Sequence, residues 1–194
     1  MTTTKEASEP SMETRLEQAG RRLDGIVAKA RQARDNGMDR IGRRVDSLRA
    51  REAGSRTRLR ELRAADRAAR DVQVAELDRE LDELEVEMAL TEARLDAELA
   101  ADDAAFAAAV DTELAAWSSR IDALRASAAT SRDQARAKQE AAILRVQQRR
   151  AAAEHRLQAF RNDASTATPT RRGEVSQAME DLDRAADETT AEPT

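Results

Sequence analysis

From Leu59 to Thr168 the chain contains neither glycine nor proline. More than a hundred residues without a helix breaker leave few architectures open. Within this run apolar side chains recur mostly at three- or four-residue steps, with seven-residue steps and one gap between Leu62 and Val74: Leu59, Leu62, Val74, Leu77, Leu81, Leu84, Met88, Leu95, Leu99, Phe106, Val110, Leu114, Trp117, Ile121 and Leu124. After an alanine-rich interval the stripe ends at Leu157 and Phe160. That spacing places the apolar groups on one face of a helix, because 3.6 residues complete a turn. No stretch alternates with the period of two that a half-buried strand requires. The expectation is an all-α chain: an elongated long-helix coiled coil or an antiparallel helical bundle. Its seams are mostly heptad-spaced. The steps Phe106–Val110–Leu114–Trp117 run four-four-three, the eleven-residue pattern that straightens a left-handed supercoil.

Composition agrees. Charged residues make up 37% of the 194 positions and aromatics 2%, and alanine supplies 42 of the residues scored as apolar. Alanine has the highest helix propensity but buries little area, so such a chain is built for helices rather than for a thick core.

Four segments follow from the punctuation. Residues 1–10 are polar and end in Pro10, which reads as a disordered lead with Ser11 as N-cap. Residues 11–54 carry Leu16, Leu23, Ile26, Ile41, Val45 and Leu48, with expected breaks near Gly37 and Gly54. Residues 55–162 form the long coiled-coil region. "AADDAAF" at 100–106 offers Asp102 or Asp103 as an N-cap, and "ATSRDQ" at 129–134 offers Ser131 with Gln134. If the region folds back, its corners fall near 101–103 and 130. Residues 163–194 read as a flexible linker and acidic tail, with a short amphipathic patch at Val175, Met179, Leu182 and Ala186.

The net charge of −5 hides an alternation. Residues 12–72 sum to +7, 73–113 to −12, 114–161 to +6, and 162–194 to −5. The acidic block Glu80, Asp82, Glu83, Glu85 and Glu87 borders the stripe Leu77–Leu84–Met88. Charges that flank a helix seam select its partner. A parallel in-register homodimer would set this block against itself. The expected neighbour is therefore basic sequence from this same protein, brought by folding back or by a staggered or antiparallel second copy. Leu81 and Leu84 should face that neighbour, and Leu90 and Val86 should flank the stripe and tolerate polar substitution.

Residues that carry chemistry are sparse. The one histidine, His155, has no cysteine or second histidine to complete a metal site, and no Glu-x-x-His pair suits a di-iron bundle. Glycine is too scarce for a phosphate loop. Ser118 and Ser119 have no base nearby, and Trp117 reads as a bulky seam residue. The expectation is a non-enzymatic structural or scaffolding protein without cofactor, metal or small-molecule substrate. It would act by homo-oligomerisation, intramolecular helix pairing or binding of another coiled-coil protein. A second reading is an amphipathic-helix coat on lipid or polymer, apolipoprotein-like or phasin-like, which the eleven-residue steps and the basic segment 12–33 allow but an alanine-rich apolar face without Trp or Phe disfavours. A third is nucleic-acid binding through the basic faces Arg43, Arg44, Arg56, Arg58, Arg60 and Arg63, which the lack of interleaved aromatics disfavours. With no cysteine, no apolar leader and no apolar run of eighteen residues, a soluble cytoplasmic protein is expected. Thirty of 33 basic residues are arginine, a bias that suggests a bacterial genome of high GC content.

Overall fold

A computed structural model describes residues 8–35, 41–64, 67–129, 133–162 and 168–191. Its elements are six helices: α1 (Ser8–Asp35), α2 (Gly42–Ala64), α3 (Arg67–Glu98), α4 (Asp103–Ala129), α5 (Asp133–Asn162) and α6 (Thr168–Ala191). There is no strand among the described residues. The protein is an all-α helical bundle, divided into two compact units at Leu99 and Ala100. No helix among the described residues is long and apolar enough to cross a membrane.

The first unit holds α1, α2 and α3, each packed on the other two. One end of its core joins Met12 and Leu16 of α1, Leu59 and Leu62 of α2, and Leu77 and Leu81 of α3. The other joins Leu23, Ile26 and Ala33, then Ile41, Val45 and Leu48, then Leu84, Met88 and Leu95. The start of α1 therefore meets the end of α2 and the start of α3. The chain runs up, down and up, so α3 has an antiparallel neighbour in α2 and a parallel one in α1. Burial of these stripes is the main source of helix stability here, since in proteins the packing of an apolar face outweighs helix propensity.

The second unit holds α4, α5 and α6, with α5 packed on both others. Phe106 of α4 meets Phe160 of α5 edge to face, 5.4 Å between ring centroids. Arg172 of α6 places its guanidinium 5.2 Å above the same Phe106 ring and donates to Asp103 at 2.7 Å and to the Ala100 carbonyl at 3.3 Å. The beginnings of α4 and α6 thus lie beside the end of α5. Each helix of this unit is antiparallel to the next.

Several boundaries differ from the expectation. Helix α1 starts three residues ahead of Ser11, so Pro10 falls in the first turn, where its missing N–H leaves no hydrogen bond unmade. Helix α2 passes through Gly54 without a break. Glycine costs a helix interior only about 1 kcal/mol relative to alanine, and buried Leu48, Ser55 and Leu59 on either side hold the turn. Within the long run α2 ends at Ala64 and α3 begins at Arg67, residues 65 and 66 lying outside the described ones, and the seam skips here from Leu62 to Val74. The run divides before Asp103. There Asp102 acts as N-cap, its side chain accepting from the Ala105 N–H at 2.8 Å. Helix α4 ends at Ala129. The patch at 175–186 belongs to a 24-residue helix rather than a flexible tail, with Val175, Met179, Leu182 and Ala186 buried. Residues 36–40, which include Gly37, and residues 130–132, which include Ser131, lie outside the described residues.

Leu90 also departs from the expectation. It is 3% exposed, buried like Ala93 and Ala97 on the side of α3 opposite the Leu77–Leu84–Met88 stripe. Val86 is half-buried. Leu90→Asp should therefore cost several kcal/mol in urea unfolding, through burial of an unpaired charge, and Val86→Asp clearly less. Equal tolerance at the two sites would contradict the burial of Leu90.

A Cβ built on Gly25 or Gly54 meets nothing within 4 Å. Gly25→Ala and Gly54→Ala should each raise unfolding stability by about 0.5–1 kcal/mol, through propensity and a less flexible unfolded chain. A loss of stability from Gly54→Ala would mean that the helix breaks there.

Candidate functional site: a charged helix interface

The most organised array of functional groups lies along α3 of the first unit. The stripe Leu77–Leu81–Leu84–Met88–Leu95 is fully buried, which leaves the bordering carboxylates at the edges of the helix contacts. On the α1 edge, Arg15 donates to Asp78 (2.6 Å), Asp82 (2.6 Å) and Glu85 (2.8 Å). Arg22 donates to Glu92 at 2.9 Å, and Lys29 reaches Glu92 at 3.2 Å and Asp96 at 2.7 Å. On the α2 edge, Arg51 spans Glu83 (3.2 Å) and Glu87 (2.9 Å), and Arg58 pairs with Glu80. Arg63 closes the third side by donating to Glu13 of α1 at 2.7 Å.

The spacing explains the register. Arg15, Arg22 and Lys29 are seven residues apart, as are Asp78, Glu85 and Glu92. Arg51 and Arg58 repeat the interval on α2, as Glu80 and Glu87 do on α3. Seven residues are close to two helical turns, so each set forms a row along its helix. A row of cations beside a row of carboxylates satisfies every rung at one sliding position. A shift of one turn removes several rungs together.

Protonation follows the pairing. Burial works against the charge on Arg15, but hydrogen bonds to Glu85 and Asp82 outweigh it and hold its pKa above the ordinary value. Burial likewise opposes the Lys29 ammonium, and Asp96 and Glu92 raise its pKa overall. The Glu92 carboxyl is also pushed up by burial, and Arg22 and Lys29 reverse this to leave its pKa below the ordinary carboxylate value.

All five residues of the expected acidic block engage cations from α1 or α2 of the same chain. Of the apolar seam residues, Val74, Leu99 and Leu124 are half-buried; the others are buried. The structure divides them between the two units rather than along one helix. The expected basic faces scatter. Arg58 and Arg63 join the interface; Arg56 turns to Glu52 on its own helix, and Arg60 to the Thr57 hydroxyl. Arg43 is exposed and Arg44 half-buried. Sequence reasoning missed Arg15, Lys29 and Arg51, although the seven-residue repeat beside the seam was there to be read. His155, Ser119 and the neighbouring Ser118 gather no cluster: Ser118 bonds to the Leu114 carbonyl, and among the described residues no group of three acidic, histidine or cysteine side chains could hold a metal.

Two outcomes follow. Changing Glu80, Asp82, Glu83, Glu85 and Glu87 together to Lys keeps the seam and the helix propensity but sets cation against cation. Circular dichroism should show partial helix and early melting at low salt, with recovery near 1 M salt, where screening acts over about 3 Å. The pH dependence has two limbs. A lowered Glu92 pKa contributes stability above its unfolded value, lost as pH falls through the folded pKa; a raised Lys29 pKa contributes below about 10.5, lost as pH rises through the folded one. Urea unfolding should thus weaken at both extremes, and Glu92→Gln should flatten the acid limb.

Comparison with protein families, with characterised proteins and with solved structures finds no match to this chain.

Proposed function

We propose that this protein is a non-enzymatic structural scaffold that works by pairing charge-matched helices, with itself or with a helix of another protein. The heptad seams described above are read as coiled-coil-like contacts. The observation that carries the reading is the double ladder on α3, where rows of carboxylates at seven-residue intervals meet rows of cations at the same interval. Such an array selects register and partner rather than adding much stability, since exposed ion pairs contribute about 0.2–1 kcal/mol each. The chain applies the same device along several helices, and this supports pairing as its working principle. The helices of the long run, 23 to 32 residues each, offer several charge-bordered faces for pairing rather than one.

Light scattering on the full chain, over a range of concentrations and at low and high salt, tests the reading. Assembly at low salt that falls back towards one chain at high salt is expected. A single-chain mass at every concentration, together with vesicle binding that raises helicity, would favour a surface coat instead.

A further inference from the structure

In the second unit a groove between α5 and α6 is lined by charged side chains, three of which have no partner among the described residues. On α5, Arg145 and Arg149 are exposed and make no ion pair or hydrogen bond among the described residues. They line a groove of about 480 Å³ with Gln148 and Ala152 on the α5 side and Asp181, Arg184, Ala185 and Glu188 on the α6 side. Glu188 is likewise exposed and unpaired among the described residues, and Arg184 is tied to Asp181 at 3.2 Å on its own helix. The two walls thus have opposite sign, and Ala152 and Ala185 form a floor of small side chains.

A uniform polyanion would gain the α5 wall and be repelled by the α6 wall. An occupant that suits both must present carboxylates to α5 and cations to α6, on a surface flat enough to reach the alanine floor. A second α5–α6 pair is such an occupant. Because the two helices are antiparallel, a two-fold axis along them sets the α5 of each copy beside the α6 of the other in the same antiparallel sense. Arginines then meet carboxylates on both sides at once, as an isologous contact requires. Small floors let helices approach to about 8 Å.

We infer that the α5–α6 groove is a self-complementary surface by which two copies of this chain pair into a four-helix contact. The inference rests on the self-association arm of the proposed function and names its surface.

The test uses three full-length variants and light scattering at low salt. One makes the α5 wall acidic (Arg145→Glu with Arg149→Glu), one makes the α6 wall basic (Asp181→Arg with Glu188→Arg), and the third carries all four changes. The unmodified chain should dimerise. Each two-site variant alone should dissociate at least roughly tenfold more readily, while an equimolar mixture of the two, and the four-site variant alone, should regain the dimer. Arg145→Gln with Arg149→Gln, which removes charge without reversing it, should weaken association with helicity unchanged, so a folding defect cannot pass for a lost interface. Association that ignores every variant would overturn the groove but leave self-association through another surface. A mixture that stays monomeric while the four-site variant is restored would place the pairing within one chain and overturn the inference. A single-chain mass for the unmodified protein throughout would overturn the groove and the self-association arm together.

Discussion

A helix with an apolar stripe bordered by carboxylates can bury that stripe only where cations line the same contact. Helix α3 imposes this condition on the whole first unit. Its leucines supply the burial, its Asp and Glu rows restrict which helices can approach, and the arginines of α1 and α2 answer at matching intervals. The three-helix arrangement is the solution in which α3 has a basic neighbour on two sides. Apolar burial provides the magnitude, because exposed ion pairs are individually weak. Charge decides which of several equally apolar arrangements is taken.

Much of this was legible in the sequence. Periodicity gave the helical class, and the sign change between residues 12–72 and 73–113 pointed to the neighbour of the acidic stretch. Asp102 was readable as a cap because an aspartate ahead of an alanine-rich stretch can satisfy an orphan N–H of the first turn. The end of α2 at Ala64 was not read, because it has no glycine or proline; its signal is a seam gap between Leu62 and Val74. Gly54 misled for the opposite reason, since a breaker in isolation is tolerated when both flanks are buried. Leu90 shows the limit of a single-stripe reading, in which a second buried face on one helix looks like a tolerant flank.

The second unit relies on a different junction. Arg172 bridges α6 to the start of α4 through Asp103, the Ala100 carbonyl and the face of Phe106, which in turn packs on Phe160 of α5. One guanidinium thus fixes the beginning of a helix that sequence alone read as a tail. Its planar fork and weak hydration suit it to this combination of ring face, carboxylate and carbonyl, a set that lysine would fill less well.

The parallel placement of α1 on α3 has a consequence for folding order. The α1–α2 and α2–α3 contacts each close across a short connection, whereas Arg15 and Lys29 reach carboxylates 63 to 70 residues away. Closed alone, that ladder would cost more loop entropy than either hairpin, which favours its forming after them. It therefore contributes little to the folding transition state and much to holding the finished unit. Removing its cations Arg15 and Lys29 is therefore expected to act more on the unfolding rate than on the folding rate.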